Sequence, residues 1–426
     1  MPTKNSPVFA LLLGAGLALS GCNYDSISSI ASKVANSPAT AASAPDYWPT
    51  GDWQTAAPES HGFSAGAFDT LATDAATALP YYTSLLVIKD GWIVHESYHD
   101  TPSETGNTVD TLHHVWSITK SVTSMTLGRA RTLGDLNSPD ALATPDVLDV
   151  SAEKIFPASV IATLPDGDLR RKISLRDALQ MRSGLAWNET SWLLQNPAKD
   201  PLLAMLYGLD HGSCPADGDL LLCFIINRPL AYAPGTVWNY DTYDSYLVSA
   251  FFTGITGQPL ATYAATNLFS PLGITFNPAN WTTLGGNYTF GGGLLLIRSR
   301  DLAKLGMLML YDGKWEDTQL ISKDWIDLSI APQGAGQLAA FDAGGEPAAS
   351  VAGDIRYGMQ WWRKTGPGMD GLDSISARGL GGQQMHVFRD KGLIVLITCD
   401  SDDVAGPRSA AINTFMQNRI LSRLNP

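Results

Sequence analysis

The stretch Val115-Trp116-Ser117-Ile118-Thr119-Lys120-Ser121-Val122-Thr123-Ser124-Met125-Thr126-Leu127-Gly128 decides how the rest of the chain is read. It is Gly-poor and helix-compatible from Ser117 to about Arg131, and its apolar flank predicts a buried helix opening at Ser117. A spacing of three sets Lys120 one turn on, over the same helix face as Ser117. A desolvated Lys amine has a depressed pKa and serves as a base, so it can take the Ser117 proton and activate a nucleophile. The helix N-terminus adds a backbone N–H and partial positive charge for an oxyanion. The pattern alone is weak, because Ser151-Ala152-Glu153-Lys154 repeats it in a polar stretch that runs at once into Phe156-Pro157. That copy reads as a surface helix start.

Two more literal patterns are decoys. Gly62-Phe63-Ser64-Ala65-Gly66 matches a nucleophile elbow but follows Pro58-Glu59-Ser60-His61, which is no strand. Ser64 is expected instead to be the N-cap of a helix running to about Ala78. Lys364-Thr365-Gly366 is followed by Pro367-Gly368-Met369-Asp370-Gly371, a loop, with the next clear strand expected at Met385. Arg378-Gly379-Leu380-Gly381-Gly382-Gln383 lies immediately before that strand and is better placed to face a site.

Outward from the helix, strands lie at both ends and helices in the middle. Ser84–Ile88 and Trp92–Glu96 flank Lys89-Asp90-Gly91, a hairpin signal. Tyr357–Trp362, Met385–Phe388 and Leu393–Thr398 read as short strands, and Ala410–Leu424 as a helix. The expected class is α+β: one antiparallel sheet built from both chain ends, flanked by helices, with a mostly helical lobe inserted at about 135–285.

The first residues read as an address. Val8–Leu19 is apolar, follows Lys4, and ends in Leu19-Ser20-Gly21-Cys22, which resembles a bacterial lipobox. The expectation is a signal peptide over 1–21, lipidation at Cys22, and a cell-envelope location. Asn23, not Asp, follows Cys22, which suggests the outer membrane, facing the periplasm. An ordinary signal peptide with a chance Cys is the alternative. Residues 22–45, rich in Ser and Ala, would form a tether spanning about 25–30 Å as a coil, leaving 46–426 as the folded body. A lipid would then be the sole membrane attachment.

Composition sets outer limits. The chain has 426 residues, 45% hydrophobic and only 16% charged, and 28 Lys plus Arg against 41 Asp plus Glu give a net charge of −13. Removal of Lys4 with the signal makes the mature charge one unit more negative. Disorder is excluded by the low charge, and an acidic chain without a basic run is a poor nucleic-acid binder. Four Cys are too few for a disulfide scaffold. In an oxidising compartment Cys214 and Cys223 can pair, two free thiols being the alternative, and Cys399 reads as a buried free thiol. No Cys/His spacing suggests zinc, and neither a metal nor another cofactor is expected. His113 and His114 are expected to be structural.

With these residues in place, the chain from about 84 to 420 resembles the serine β-lactamase and penicillin-binding-protein superfamily, and within it the class C-related esterases and amidases, including 6-aminohexanoate-dimer hydrolases. Ser117-Ile118-Thr119-Lys120-Ser121 matches the first motif. Leu179-Gln180-Met181-Arg182-Ser183-Gly184-Leu185-Ala186-Trp187 looks like the stretch introducing the helical lobe. Pro234-Gly235-Thr236-Val237-Trp238-Asn239-Tyr240 matches the second motif, and Gly291-Gly292-Gly293, Asp301–Gly306 and Tyr357-Gly358-Met359-Gln360-Trp361-Trp362 follow in the family's order. The resemblance implies Ser117 as nucleophile, Lys120 as its base, and Tyr240 as proton shuttle, held near-phenolate by Lys120. The N–H groups of Ser117 and Leu380 would form the oxyanion hole. Gly379, Gly381, Gly382 and Gln383 would line the substrate site with Trp187 and Trp192, though packing accounts equally for the two Trp, and Gln383 suits fixing the loop better. Two departures stand out. Tyr240-Asp241-Thr242 lacks the Asn of the usual second motif, and no Lys-Thr or His-Thr precedes the expected third-motif strand. Both favour small ester or amide substrates over β-lactams. The alternatives are a β-lactamase or D,D-peptidase, or an idle envelope ligand sensor.

Overall fold

The computed structural model describes residues 42–187, 189, 214, 219–284, 288–331, 355–364, 374–400 and 408–425. The signal, Cys22 and nearly all of the tether lie outside them, as does Trp192.

Both ends of the chain meet in one sheet. The strands used below are β1 (Tyr82–Lys89), β2 (Trp92–Tyr98), β3 (Leu112–His114), β4 (Leu296–Arg298), β5 (Ile355–Tyr357), β6 (Trp362–Lys364), β7 (Ser374–Gly379), β8 (Gln383–Phe388) and β9 (Leu393–Cys399). Seven of them form an antiparallel sheet in the order β2-β1-β9-β8-β7-β6-β5. The seam is β1 against β9, with Leu85 opposite Ile397 and Val87 opposite Val395. β3 and β4 make a separate ribbon.

The helices are α1 (Leu71–Ala78), α2 (Ile118–Leu133), α3 (Leu220–Asn227), α4 (Thr242–Thr256), α5 (Ser299–Leu310) and α6 (Arg408–Arg419). Strand alternation explains how the sheet is sandwiched. Leu85, Val87, Val395 and Ile397 pack with Leu71 and Ala75 of α1 and with Ile412, Phe415 and Met416 of α6. Leu86, Ile88, Ile394 and Leu396 point the other way, into the larger core that holds α2, α4 and α5. Both faces are covered, so Ser84–Ile88 and Leu393–Thr398 read as unbroken apolar runs rather than as an alternation. Among the described residues, no helix is long and apolar enough to cross a membrane.

Three local expectations fail. Ser64 caps no helix: its N–H donates to the Arg423 carbonyl at 2.9 Å, and α1 starts only at Leu71, after turns. Tyr357–Trp362 is a hairpin rather than a strand. The Gly358 N–H donates to the Trp361 carbonyl at 2.9 Å and Gln360 sits at φ 67°, so the chain reverses between β5 and β6. β7 was expected to be loop; polar Ser374, Ser376 and Arg378 hide its strand character, yet it is buried between β6 and β8.

Cys214 and Cys223 are joined in a disulfide, and Cys399 is a buried free thiol. His113 is buried on β3, and burial pulls its imidazole down to about 4, so it stays neutral.

Candidate active site

Helix α2 is almost wholly interior although it is rich in hydroxyls. Most of these are matched: Ser121 Oγ donates to the Gln360 carbonyl at 2.7 Å, Thr123 Oγ1 to the Gly291 carbonyl at 2.8 Å, and Thr126 Oγ1 to the Val122 carbonyl at 2.9 Å, while the buried Ser124 Oγ has no partner among the described residues. Gly134 ends the helix in the left-handed region, its N–H reaching the Ala130 and Arg131 carbonyls. At the other end Trp116 holds φ at 46°, a sparsely populated conformation for an aromatic residue. Ser117 makes no side-chain cap bond, so its hydroxyl remains available to the site.

Lys120 is 1% exposed. Its Nζ lies 2.8 Å from Ser117 Oγ, 3.0 Å from Thr242 Oγ1 and 2.8 Å from the Gly292 carbonyl. Burial pulls its ammonium down to about 8, against the negative charges of Glu189 and Asp241, which push it up. At pH 7 about a tenth of the amine is therefore unprotonated, within hydrogen-bond reach of Ser117 Oγ. Gly292 must be glycine here. A Cβ would lie 2.5 Å from the Thr242 carbonyl oxygen, forcing apart the two segments that converge on Lys120.

Tyr240 is delivered by the loop between α3 and α4. The Gly235 N–H donates to the Arg182 carbonyl at 2.8 Å and the Asn239 N–H to the Met181 carbonyl at 2.9 Å, so the 179–187 stretch braces the second motif. Asp241 caps α4, accepting from the Tyr243 N–H at 2.8 Å, and pairs with Arg228 at 2.7 Å. The Tyr240 hydroxyl is hydrogen-bonded to the Ser117 side chain. Its ring stacks against Trp362 at 5.6 Å and meets Tyr357 edge-on. The expected near-phenolate is not what this environment favours. Burial, then the Glu189 charge, push the Tyr240 phenol well above its usual value, and Lys120 Nζ sits over the ring, 5.0 Å from its centroid. The resting form is the neutral phenol.

The end of β7 lies against the start of the nucleophile helix. A Cβ on Gly379 would come 2.5 Å from the Val115 carbonyl oxygen and 3.1 Å from Trp116 Cβ, so only glycine lets β7 approach this closely. That approach sets Gly379, the residue before Leu380, against the two residues that precede Ser117. Lys364, by contrast, ends β6, one strand further out, and Thr365 and Gly366 lie outside the described residues. The Lys364 triad is thus on the wrong strand. Arg378 is buried, with Nε 3.2 Å from Ser376 Oγ.

The other expected binding residues separate from the site. Gln383 gives Nε2 to the Cys399 carbonyl at 2.7 Å and takes the Cys399 N–H at 2.9 Å, so its amide is consumed across the sheet. The Gly381 carbonyl accepts from Arg408 of α6, and a Gly382 Cβ would meet Ile412, Cys399 and Arg408. Gly381 and Gly382 face α6, while the Gln383 amide is spent on the β9 backbone; the contacts the structure shows for these three are structural. Trp187 is half-buried, edge-on to Tyr243 and under the Arg228 guanidinium, and its indole N–H donates to Glu189 at 2.5 Å. Trp361 is core.

Three participants were missed from sequence. The Gly292 carbonyl was visible only as part of a family glycine run. Thr242 was noticed only as the residue standing where Asn was expected. Glu189 gave no signal at all. It accepts from the Thr242 hydroxyl and, at 3.0 Å, from the Thr242 N–H.

Residues 83–414 match the family model described as Beta-lactamase. A curated relative from Escherichia coli (strain K12), described as "Putative D-alanyl-D-alanine carboxypeptidase", is 28% identical over 211 residues, 46% of this chain; the match spans 43% of that relative's length. Among solved structures, a "Putative 6-aminohexanoate-dimer hydrolase from Bacillus anthracis" superposes with a TM-score of 0.61 at 18% identity, covering 90% of this chain and 89% of that one. EstCE1, described as a hydrolase with promiscuous acyltransferase activity, superposes at 0.58 with 15% identity, covering 82% and 97%. At these identities the structural likeness shows the fold alone, and the match of the family model over most of the chain shows the family: the chain belongs to the beta-lactamase family of serine hydrolases.

Proposed function

We propose that the protein forms an acyl-enzyme on Ser117 and hydrolyses small carboxylic esters or amides. The observation that carries this reading is the buried Lys120 amine 2.8 Å from Ser117 Oγ. Lys120 takes the hydroxyl proton as Oγ attacks the substrate carbonyl. The Ser117 and Leu380 N–H groups hold the oxyanion, each donor contributing ~3 kcal/mol in comparable sites. The neutral Tyr240 phenol protonates the departing alcohol or amine, the C–O or C–N bond breaks, and the proton on Lys120 returns to Tyr240. Water then releases the acid and regenerates Ser117. A phenol suits the second step better than a phenolate, because a general acid must begin protonated.

Thr242 in place of Asn, and the absence of Lys-Thr or His-Thr at β7, favour esters and simple amides over β-lactams. Fluorophosphonate labelling of wild type and Ser117→Ala tests the nucleophile: an unlabelled wild type without ester hydrolysis overturns the reading. A p-nitrophenyl ester, a linear amide dimer, a D-alanyl-D-alanine peptide and a chromogenic cephalosporin then sort the substrate class. We also propose lipidation at Cys22, with the tether holding the acidic body near the outer membrane; a Cys22→Ser protein that still partitions with membranes contradicts it.

A further inference from the structure

Three groups converge on Lys120 Nζ, and they are not equivalent. The Gly292 carbonyl can only accept. Ser117 has a hydrogen to give. Thr242 can in principle do either, but its hydroxyl hydrogen is committed to Glu189, which leaves only its lone pairs for Lys120. When Lys120 is neutral it has two N–H donors and one lone pair. The two fixed acceptors, Gly292 and Thr242, take the donors. The lone pair is left facing Ser117.

We propose that Glu189 is a positioning residue: by fixing Thr242 as an acceptor it aims the Lys120 lone pair at the Ser117 hydroxyl. This rests on the hydrolase reading above. Glu189 is itself held by three donors. One carboxylate oxygen takes the Thr242 hydroxyl, and the other takes both the Thr242 N–H and the Trp187 indole N–H. That arrangement dictates what an amide would do in its place. In Glu189→Gln the oxygen that meets two N–H groups must remain oxygen. The NH2 is forced toward Thr242 Oγ1, donates to it, and turns the Thr242 hydrogen toward Lys120. The near-isosteric change inverts the relay and covers the lone pair.

A second effect has the opposite sign and separates this role from a merely structural one. The groups facing Lys120 are Ser117 and Tyr240, with the charges of Glu189 and of Asp241, the latter paired to Arg228. Glu189 raises the Lys120 pKa, so removing its charge makes Lys120 easier to deprotonate and moves the acid limb of the rate profile to lower pH.

The test is the pre-steady-state burst with p-nitrophenyl acetate, from pH 6 to 10, for wild type, Glu189→Gln, Thr242→Val and Thr242→Ser. Fluorophosphonate labelling and melting temperature are recorded for each. Glu189→Gln and Thr242→Val are expected to lose about 30-fold in the high-pH plateau, within the span a positioned base contributes, with the limb of Glu189→Gln displaced to lower pH. Thr242→Ser, which restores the acceptor, is expected to remain within about threefold of wild type. If Glu189→Gln fails to fold, the isosteric Thr242→Val against Thr242→Ser carries the decision. A wild type that labels and bursts while both variants keep its plateau overturns the relay alone. A wild type that does neither overturns the hydrolase reading and the relay with it.

Discussion

Ser117-Ile118-Thr119-Lys120 and Ser151-Ala152-Glu153-Lys154 share a spacing and a backbone hydrogen bond. In each, the Lys N–H donates to the Ser carbonyl, at 3.1 Å in the first and 3.0 Å in the second, closing the same helical turn. All else differs. Lys120 is enclosed, and its amine has two side-chain partners and one backbone carbonyl partner. Lys154 is exposed, and its helix ends one residue later at Ile155. Spacing sets two side chains on one face; the chemistry comes from what covers that face. Burial turns an ordinary ammonium into a base, and burial is a property of the packed fold, not of four residues.

The largest predicted contrast is at the serines. Ser117→Ala is expected to abolish fluorophosphonate labelling and to lower ester hydrolysis by about 10⁴-fold or more, while Ser151→Ala labels like wild type. Equal labelling of the two variants would remove the distinction altogether. At the lysines, Lys120→Met is expected to lose about 10²- to 10⁴-fold in acylation rate, the range of a positioned base, and Lys154→Met to lose nothing measurable. Gly379→Ala is a smaller probe of what surrounds the first motif alone. Its methyl displaces β7 from Val115, and a misplacement of that order costs about 10- to 100-fold in kcat/KM, with the fold retained by circular dichroism.

The smallest effect is in stability, and its sign follows from burial. Burial pulls the Lys120 ammonium down to about 8 in the fold, from the 10.5 of a free lysine side chain. Between those values the unfolded chain binds the extra proton, so the contribution of Lys120 to stability rises with pH through that window. Below about 8 its desolvation penalty is fully present. The melting temperature of Lys120→Met relative to wild type is therefore expected to drop by about 3 °C from pH 7 to pH 10. Lys154→Met is expected to track wild type across the same range.

The same distinction between local pattern and enclosing fold explains what was legible in the sequence. The hairpin at Lys89-Asp90-Gly91, the apolar runs of β1 and β9 and the helix after Ser117 announce themselves by pattern, and with them the α+β sheet joining both ends. β7 did not, because its buried residues include polar ones; Arg378 Nε donates to Ser376 Oγ within it. Ser117, Lys120 and Tyr240 were visible through motif spacing, and the structure brings them together. Gln383 could be read either as a lining or as a bracing residue, and the structural reading is the one its bonds to the Cys399 backbone match. Glu189 was invisible because its position is set by Thr242, 53 residues further along the chain.

The seam between β1 and β9 also has a temporal meaning. Thr83 and Thr398 share a hydrogen bond across 315 residues of chain. β9 pairs directly with β1, and beyond it lie β8 and β7, whose end abuts Val115 and Trp116. During synthesis the nucleophile helix emerges long before the strand that completes its oxyanion site. Closing so long a loop is slow, because the entropy of bringing distant segments together precedes any reward. On the reading proposed above, the nascent chain lacks this side of the site until its last strands have added to the free side of β1, opposite β2.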